Sequence, residues 1–504
     1  MSTRANTLAG NFVYFLLADL AQRGVAFAVI LVLARLVSVD QFGIYTFAIT
    51  AGIVLSSIAD LGLTNFVLRD LSIRPEKRSE YLRLLLPARF ALSGIVLILY
   101  LVLVAFAPVA QYGIIIALFA LSSLIEIQST FIISFYRSND EAKPILYVKL
   151  IGAILTVITF VLALLWLRDA SKGSVGLLVV ALTMLMTNLV VLALLINAKA
   201  LKWSTISLPS INTWQLPSIK YLTKILKVSI FFLLPAFLYI LIIRGNIFFL
   251  ATLQTTRDVG LFNSALTVMS VFLVLVSLFT YVFYTSITRA ALQPKNQQAM
   301  KFIVKYLLLL SLPAVSVLIF LSEHIMQLTF GTEYVVAGTA LAIMSAALPV
   351  LFLNAVLQIM LLALDLEKLL TTIIGCVALI TVGASYFLIS QYGIDGAAAA
   401  TVIAEVLIFS ISLYYVRRAG IKFSADLTVL RIIFANVFFA LVLAALPAPW
   451  LFKLIASILV YTICVLLLGI LTRADLQWFS EVRALNGIIN RVKSTRLEKW
   501  FFRE

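Results

Sequence analysis

The chain has 504 residues, of which 63% are hydrophobic and only 12% are charged, and its formal net charge is +16 at pH 7. Soluble domains carry about 25% charged residues, so this composition excludes an ordinary soluble enzyme or binding domain. The basic excess requires no nucleic acid partner, because Lys and Arg beside membrane spans face anionic lipid headgroups. Two cysteines and one histidine are too few for a zinc site or a disulfide framework. We expect no cofactor, no metal and no nucleic acid partner.

Apolar stretches long enough to cross a bilayer as helices, about 20 residues each, recur along the whole chain. They do not alternate with the period of two that membrane barrels require. We predict an all-α integral membrane protein with fourteen transmembrane helices. The predicted spans lie near residues 11–36, 42–65, 84–107, 109–135, 145–167, 174–197, 226–250, 259–287, 302–322, 337–364, 369–390, 396–416, 429–446 and 450–472.

The distribution of Lys and Arg over the loops predicts the orientation. With the N-terminus in the cytoplasm, 30 of these residues lie inside, Lys143 and Lys149 among them, and five lie outside. The other three, Arg23, Arg89 and Arg244, fall within spans. Such a bias over short loops follows the positive-inside rule. We therefore expect both termini in the cytoplasm of a multi-pass protein.

Three short motifs recur at nearly constant offsets of 218, 220 and 221 residues. The motif pairs are residues 40–45 with 258–262, residues 173–176 with 393–396, and residues 23–24 with 244–245. An even number of spans in each half predicts a parallel repeat of two pseudo-symmetric six-helix lobes, with the substrate path between them. Two C-terminal helices stand outside this repeat.

This organisation divides the chain into five parts. They are an N-terminal six-helix lobe (1–200), a cytoplasmic interfacial linker (201–225), a C-terminal six-helix lobe (226–417), two extra transmembrane helices (418–472) and a cytoplasmic amphipathic tail (473–504). The tail intersperses aromatic and aliphatic residues with basic ones, a pattern typical of helices that lie on a membrane surface. Packing of the tail on the helix bundle is an equal alternative.

Three stretches carry a family resemblance: residues 33–45 with 60–65 and 69, residues 330–334, and residues 392–401. Together with the fourteen predicted spans, they resemble the polysaccharide flippase family of the multidrug/oligosaccharidyl-lipid/polysaccharide exporter superfamily. The resemblance implies a protein of the bacterial inner membrane that moves an undecaprenyl-pyrophosphate-linked oligosaccharide to the outer leaflet by alternating access. It also implies membrane lipids, a glycan polymerase and a chain-length regulator as partners.

Arginines within the spans are the candidate substrate-binding residues. A charge at the bilayer centre is costly, about 2.5–3.5 kcal/mol on insertion scales, and is retained where a partner or water offsets that cost. Arg23 is predicted to grip a pyrophosphate through its guanidinium, or to pair with Asp19 one turn earlier. Arg244 has no acid within one turn, which favours a phosphate contact. Arg89 is a third candidate, or it snorkels to the interface.

Acidic residues within or beside spans are candidates for ion coupling or charge pairing. Glu126 and Glu405 have no obvious partner on their own helices, so each could carry a proton or pair with an arginine of another helix. Asp60, at the predicted end of a span, is expected to play a structural part at a helix end. Asp19 would tune or release a ligand held by Arg23.

Two other classes of function stay open. A drug or cation antiporter of the same superfamily would favour an acidic cavity, whereas this chain places three arginines within its spans. A membrane glycosyltransferase or polymerase would need a large outer loop with catalytic carboxylates, and no predicted outer loop exceeds roughly 15 residues. A lipid II flippase would differ in cargo alone.

Overall fold

The structure is a computed structural model that describes residues 2–105, 112–167, 174–206, 213–292, 297–421, 427–472 and 475. Every long element in these ranges is an α-helix, which confirms the predicted all-α class. The helices are α1 (Ser2–Leu36), α2 (Val39–Asp60), α3 (Leu63–Ile73), α4 (Arg78–Ala105), α5 (Gly113–Ser138), α6 (Ala142–Leu167), α7 (Ser174–Ile196), α8 (Ile219–Leu253), α9 (Thr256–Leu292), α10 (Gln297–Phe320), α11 (Ser322–Thr329), α12 (Ala337–Ser345), α13 (Leu348–Ala363), α14 (Glu367–Arg418), α15 (Leu427–Ala445) and α16 (Trp450–Leu467).

Within the described ranges, eleven helices are long and apolar enough to cross a membrane, or twelve if α12 and α13, bent by 44°, form one broken span. The protein is therefore a multi-pass membrane protein. If α1 and each half of α14 are also counted as spans, the number reaches fourteen. The predicted total of fourteen stays a prediction, because length and composition alone define these spans.

Helix α14 is a hairpin whose two halves meet at a sharp break. A straight helix of its 52 residues would extend for about 78 Å, more than twice the bilayer core. The helix breaks at Gly393, whose φ of 54° lies in the left-handed region open to glycine. Three residues later, a Cβ at position 396 would overlap the carbonyl of Leu388, so the chain reverses within this short stretch. The Gly393–Gly396 motif thus makes a helical turn.

By its internal contacts the chain divides into unit 1 (Met1–Asn263) and unit 2 (Ser264–Glu504). In unit 1, α5 packs on α2, α4 and α7, α6 packs on α1, and α8 packs on α2 and α3. In unit 2, α14 packs on α12 and α13, and α10 packs on α15. The sequence placed residues 226–417 in the second lobe, whereas these contacts place α8 in unit 1. One of these contacts is at Gly62, where the backbone of α8 at Ser229 and Leu233 approaches closely.

Two copies of a predicted repeat motif contact each other at the start of α2 and of α9, within unit 1. A Cβ at Gly43 would overlap the carbonyl of Thr256, and a Cβ at Gly260 would lie 2.5 Å from the carbonyl of Val39. The contact is reciprocal, because Gly43 corresponds to Gly260 and Val39 to Thr256 at the same offset of 217 residues. Self-complementary contacts of this kind are typical of a local twofold relation. The Thr256 hydroxyl also donates to Asp40 at 3.2 Å.

The described part of the predicted linker packs against unit 1. Trp214 stacks on Phe90 with ring centroids 5.7 Å apart, and the Gln215 amide donates to the carbonyl of Arg83. The predicted interfacial segment is shorter than 201–225, because α8 already begins at Ile219, where Ser218 caps it. The predicted amphipathic tail (473–504) lies outside the described residues except for Asp475.

Glu141, in the loop between α5 and α6, ties this loop to the segment after α7. It accepts hydrogen bonds from the Ser204 hydroxyl, from the Thr205 hydroxyl and amide, and from Asn139. Partial burial raises the pKa of Glu141, but these hydrogen bonds outweigh burial and hold the pKa below its ordinary 4.5.

Candidate functional site

A polar cavity of about 540 Å³ lies inside unit 1, among α1, α2, α3, α5, α6 and α7. Its volume falls within the range of about 300–1,000 Å³ that is typical of small-molecule sites. The polar and charged lining residues are Gln22, Tyr45, Thr64, Asn65, Glu126, Ser129, Thr130, Ser134, Arg137, Lys149, Thr156, Thr187 and Asn188. Aliphatic side chains from α1, α5, α6 and α7 complete the wall.

Helix α5 supplies one whole polar face of this cavity. Its lining residues follow helical spacing over three turns, since they recur three or four positions apart. They are Glu126, Ser129, Thr130, Ile133, Ser134 and Arg137. Glu126 lies midway along α5 and its exposed side chain lines the cavity.

A chain of charges leads from the cavity to Arg23. Lys149 lines the cavity, and its amine lies 3.1 Å from a carboxylate oxygen of Asp19. The other oxygen of Asp19 accepts from Arg23 Nε at 2.8 Å. Arg23 and Asp19 stay accessible, with side chains 54% and 43% exposed. Asp19 therefore joins two cations of α1 and α6, and Glu126 also interacts electrostatically with Lys149.

Arg244, on α8, interacts electrostatically with Tyr45 of α2. Tyr45 lines the cavity and is held edge to face against Phe119, with ring centroids 5.4 Å apart. Arg244 is half-buried, and in the described part of the chain it forms no salt bridge with a carboxylate. Arg244 is therefore a cation within a predicted membrane span, and it lies near Tyr45, which lines the cavity.

Arg89 occupies a different environment from the other two candidate arginines. Its side chain is 0% exposed, forms a 2.8 Å salt bridge with Asp60, and donates to the Thr64 hydroxyl at 2.9 Å. Its guanidinium lies 4.2 Å from the centre of the Phe131 ring. This position does not support the predicted substrate contact or the snorkelling alternative, because no face of the guanidinium reaches water. Arg89 and Asp60 form a buried ion pair that joins α4 to α2.

Glu405 lies in unit 2, whereas the three candidate arginines lie in unit 1. It is 1% exposed, and its carboxylate accepts from Asn354 at 2.8 Å, which joins α14 to α13. Asn354 also donates to the backbone carbonyl of Glu405 at 3.0 Å. Hydrogen bonds of this kind hold neighbouring helices together in membranes, where burial of apolar surface between helices gives little driving force.

The sequence alone did not identify the cavity's other charged residues. Charge counting placed Lys149 among the inside charges, although it falls at the start of the predicted span 145–167 and lies several residues inside α6 (Ala142–Leu167). The polar stripe on α5 was visible in the sequence as Glu126, Thr130 and Ser134 at helical spacing. Within the described ranges no three His, Cys, Asp or Glu side chains come together, so no metal site is built there.

A family model described as "Polysaccharide biosynthesis protein" matches residues 8–284, more than half of the chain. The chain belongs to the polysaccharide biosynthesis protein family. This membership confirms the family resemblance. A comparison with curated proteins finds no match.

The fold of this family member is similar to those of several solved membrane proteins. One is a lipid II flippase, MurJ, in an inward closed conformation, with a TM-score of 0.67, 15% identity, and coverage of 91% of this chain and 98% of that chain. Another is an inward-facing multidrug resistance MATE family transporter of the MOP superfamily, with a TM-score of 0.60, 16% identity, and coverage of 82% and 100%. A point mutant of the Vibrio cholerae MATE transporter VcmN matches with a TM-score of 0.54, 16% identity, and coverage of 83% and 97%. At such low identities the likeness establishes the fold.

Proposed function

We propose that the protein is a flippase that translocates a polyprenyl-pyrophosphate-linked oligosaccharide from the inner to the outer leaflet by alternating access, without chemical change to the cargo. The observation that carries the proposal is the polar, water-accessible cavity inside the membrane-embedded helices of unit 1. Polar and charged side chains within the membrane raise the free energy of the protein unless they contact one another, water or a hydrophilic ligand. A polar cavity at this depth therefore indicates a hydrophilic ligand. Family membership and the fold of the MurJ flippase support the same function.

In this proposal the cationic groups hold the anionic part of the cargo. Arg244 and Arg23 contact the pyrophosphate, because a guanidinium presents two parallel donors to phosphate oxygens. Asp19 holds Arg23 in place and competes with the phosphate for it, which aids release. Arg89 keeps Asp60 neutralised within the bundle and does not contact cargo. The cell envelope context that we propose is the bacterial inner membrane, with both termini in the cytoplasm.

The substitution Arg244→Ala tests the proposal directly. Hydrogen bonds to charged groups contribute about 1.5–3 kcal/mol, so flipping should slow by about tenfold or more. Export of the surface glycan is measured in a strain that lacks the chromosomal copy and carries the variant. Arg244→Lys keeps the charge but loses the paired donors, and we expect intermediate export.

The matched control is Arg257→Ala, which removes an exposed arginine at the start of α9. It should export glycan at the wild-type level. Unchanged export by Arg244→Ala, in protein that is inserted and monodisperse, would refute the role of Arg244. Transfer of labelled sugar from a lipid carrier by the purified wild-type protein would instead favour an enzyme.

A further inference from the structure

The Glu126 carboxylate is a charged group in the cavity that the protein leaves without a hydrogen bond. In the part of the chain that the structure describes, it forms no salt bridge within 4 Å and accepts no hydrogen bond, although Lys149 is near enough to interact electrostatically. Charged groups within a membrane protein normally have close partners. A ligand that donates hydrogen bonds would provide them.

A second cavity-lining group also has no partner. The Thr187 hydroxyl, on α7, is buried and forms no hydrogen bond in the described structure. The next residue, Asn188, donates a hydrogen bond from its side-chain amide to the Ser122 hydroxyl at 2.9 Å, which fixes the orientation of the Asn188 side chain. The cavity therefore offers fixed polar groups on two facing helices, and aliphatic surface lies between them.

The size and composition of the cavity favour a sugar ring over a metal ion. A cation site needs several oxygen ligands within about 2.6 Å, whereas among the described lining residues Glu126 is the one carboxylate. The cavity volume of about 540 Å³ suits an organic ligand. Hydroxyl and amide groups around aliphatic surface match a sugar, which has hydroxyls at its edge and C–H groups on its faces.

The charge balance of the lining decides which kind of sugar fits. Lys149 is engaged by Asp19, and Arg137 has an interaction partner of its own within the protein. Among the charged side chains of the described lining, the one without a close partner is thus negative. A carboxylate-bearing sugar would be repelled by Glu126, whereas the hydroxyls of an uncharged sugar would donate to it.

We propose that the cavity of unit 1 is a subsite for an uncharged sugar ring of the cargo, in which Glu126 accepts hydrogen bonds from two neighbouring hydroxyls and selects against acidic sugars. This inference rests on the proposed flippase function and adds the substrate class. Glu126 is then a specificity-determining residue, while the arginines bind the pyrophosphate that all such cargoes share.

The test uses purified full-length protein in lipid vesicles and three synthetic lipids. They are undecaprenyl pyrophosphate without sugar, the same lipid with one neutral hexose, and the same lipid with one hexuronic acid. A membrane-impermeant pyrophosphatase, added outside, hydrolyses the pyrophosphate bond of lipid that reaches the outer leaflet. Water cleaves this bond to leave undecaprenyl phosphate, and releases inorganic phosphate from the sugar-free lipid and the sugar 1-phosphate from the other two lipids. We expect the wild-type protein to move the hexose lipid faster than the hexuronic acid lipid.

The substitution Glu126→Ala should reduce the translocation rate of the hexose lipid by about tenfold or more, which corresponds to about 1.4 kcal/mol. It should leave the translocation rate of the sugar-free lipid unchanged. Glu126→Gln, which keeps the shape and one acceptor, should give an intermediate rate for the hexose lipid and reduce the selection against hexuronic acid. The matched control Glu367→Gln changes an exposed glutamate at the start of α14 and should leave all three rates unchanged.

Two outcomes would overturn the subsite. One is an equal loss for the sugar-free lipid in both Glu126 variants, which would place Glu126 in the transport cycle itself. The other is a wild-type rate for the hexose lipid in Glu126→Ala. Failure of the wild-type protein to move any of the three lipids would instead refute the proposed flippase function, on which the subsite depends.

Discussion

Two groups of charges in unit 1 illustrate two ways of keeping ions inside a helix bundle. Arg89, which is 0% exposed, and Asp60, which is 13% exposed, form a salt bridge of 2.8 Å between α4 and α2. In the second group, between α6 and α1, Asp19 and Arg23 are 43% and 54% exposed, whereas Lys149 is 14% exposed and lines the cavity. The first arrangement strengthens the bundle against separation, because a lone buried charge is very costly. The second keeps charge available to a ligand, because water can replace any partner that leaves.

The largest expected effect comes from removing the cation of the enclosed pair. Arg89→Met leaves Asp60 buried without its partner, and such a loss costs about 3–5 kcal/mol. We expect a large fall in the thermal unfolding midpoint of the detergent-purified protein, measured by size-exclusion chromatography after heating. The double variant Arg89→Met with Asp60→Asn should recover most of that loss, because no lone charge remains. Equal instability of the single and double variants would contradict the ion-pair interpretation.

A smaller loss is expected where two backbones touch at the start of α2 and of α9. Gly43→Ala places a methyl group on the carbonyl of Thr256, and overpacking of this kind costs about 1–3 kcal/mol. The unfolding midpoint is again the measurement. Gly94→Ala is the control, because no atom lies within 4 Å of its added methyl, and it should be neutral or stabilising by up to about 1 kcal/mol. If both variants behave alike, the contact between α2 and α9 is not tight.

Removing Lys149, which belongs to the group of charges beside the cavity, should barely alter the free energy of unfolding. Lys149→Met leaves Asp19 with Arg23 and with water, and accessible ion pairs contribute about 0–1 kcal/mol. The same variant should reduce glycan export, because the cavity loses a positive charge. Lys220→Met, at the exposed start of α8, is the matched control for both measurements. A stability loss as large as that of Arg89→Met would break the distinction between the two groups.

The smallest effect concerns a third charge, which lies outside the spans. The lowered pKa of Glu141 means that its hydrogen bonds stabilise the folded loop above pH 4.5, and that this contribution is lost as the pH falls through the lowered value. Hydrogen exchange of residues 198–206 should therefore be constant from neutral pH to about pH 5, after correction for the intrinsic rate, and should increase below it. Glu141→Gln should increase exchange at neutral pH and remove the acid dependence. Acid dependence that persists in Glu141→Gln would assign the effect to another group.

Several features of the molecule were predictable from patterns among residues that lie close together in the sequence. Apolar runs of helical length identify the spans, because the bilayer core requires about 20 apolar residues per helix. The Gly393–Gly396 motif predicted a break between two spans, and it forms the turn of the α14 hairpin. The pairing of Asp19 with Arg23 follows from their spacing of four residues on one helix.

The sequence by itself therefore determined the all-α membrane class, the family and the identity of the charges that lie within the membrane. Only the tertiary structure decided the surroundings of each charge. Arg89 and Arg23 look alike in sequence, yet the first is enclosed by Asp60 and Phe131 and the second is accessible. The physical reason is that a charge buried in a bundle depends on partners from other helices, and contacts between distant segments leave no local pattern in the chain.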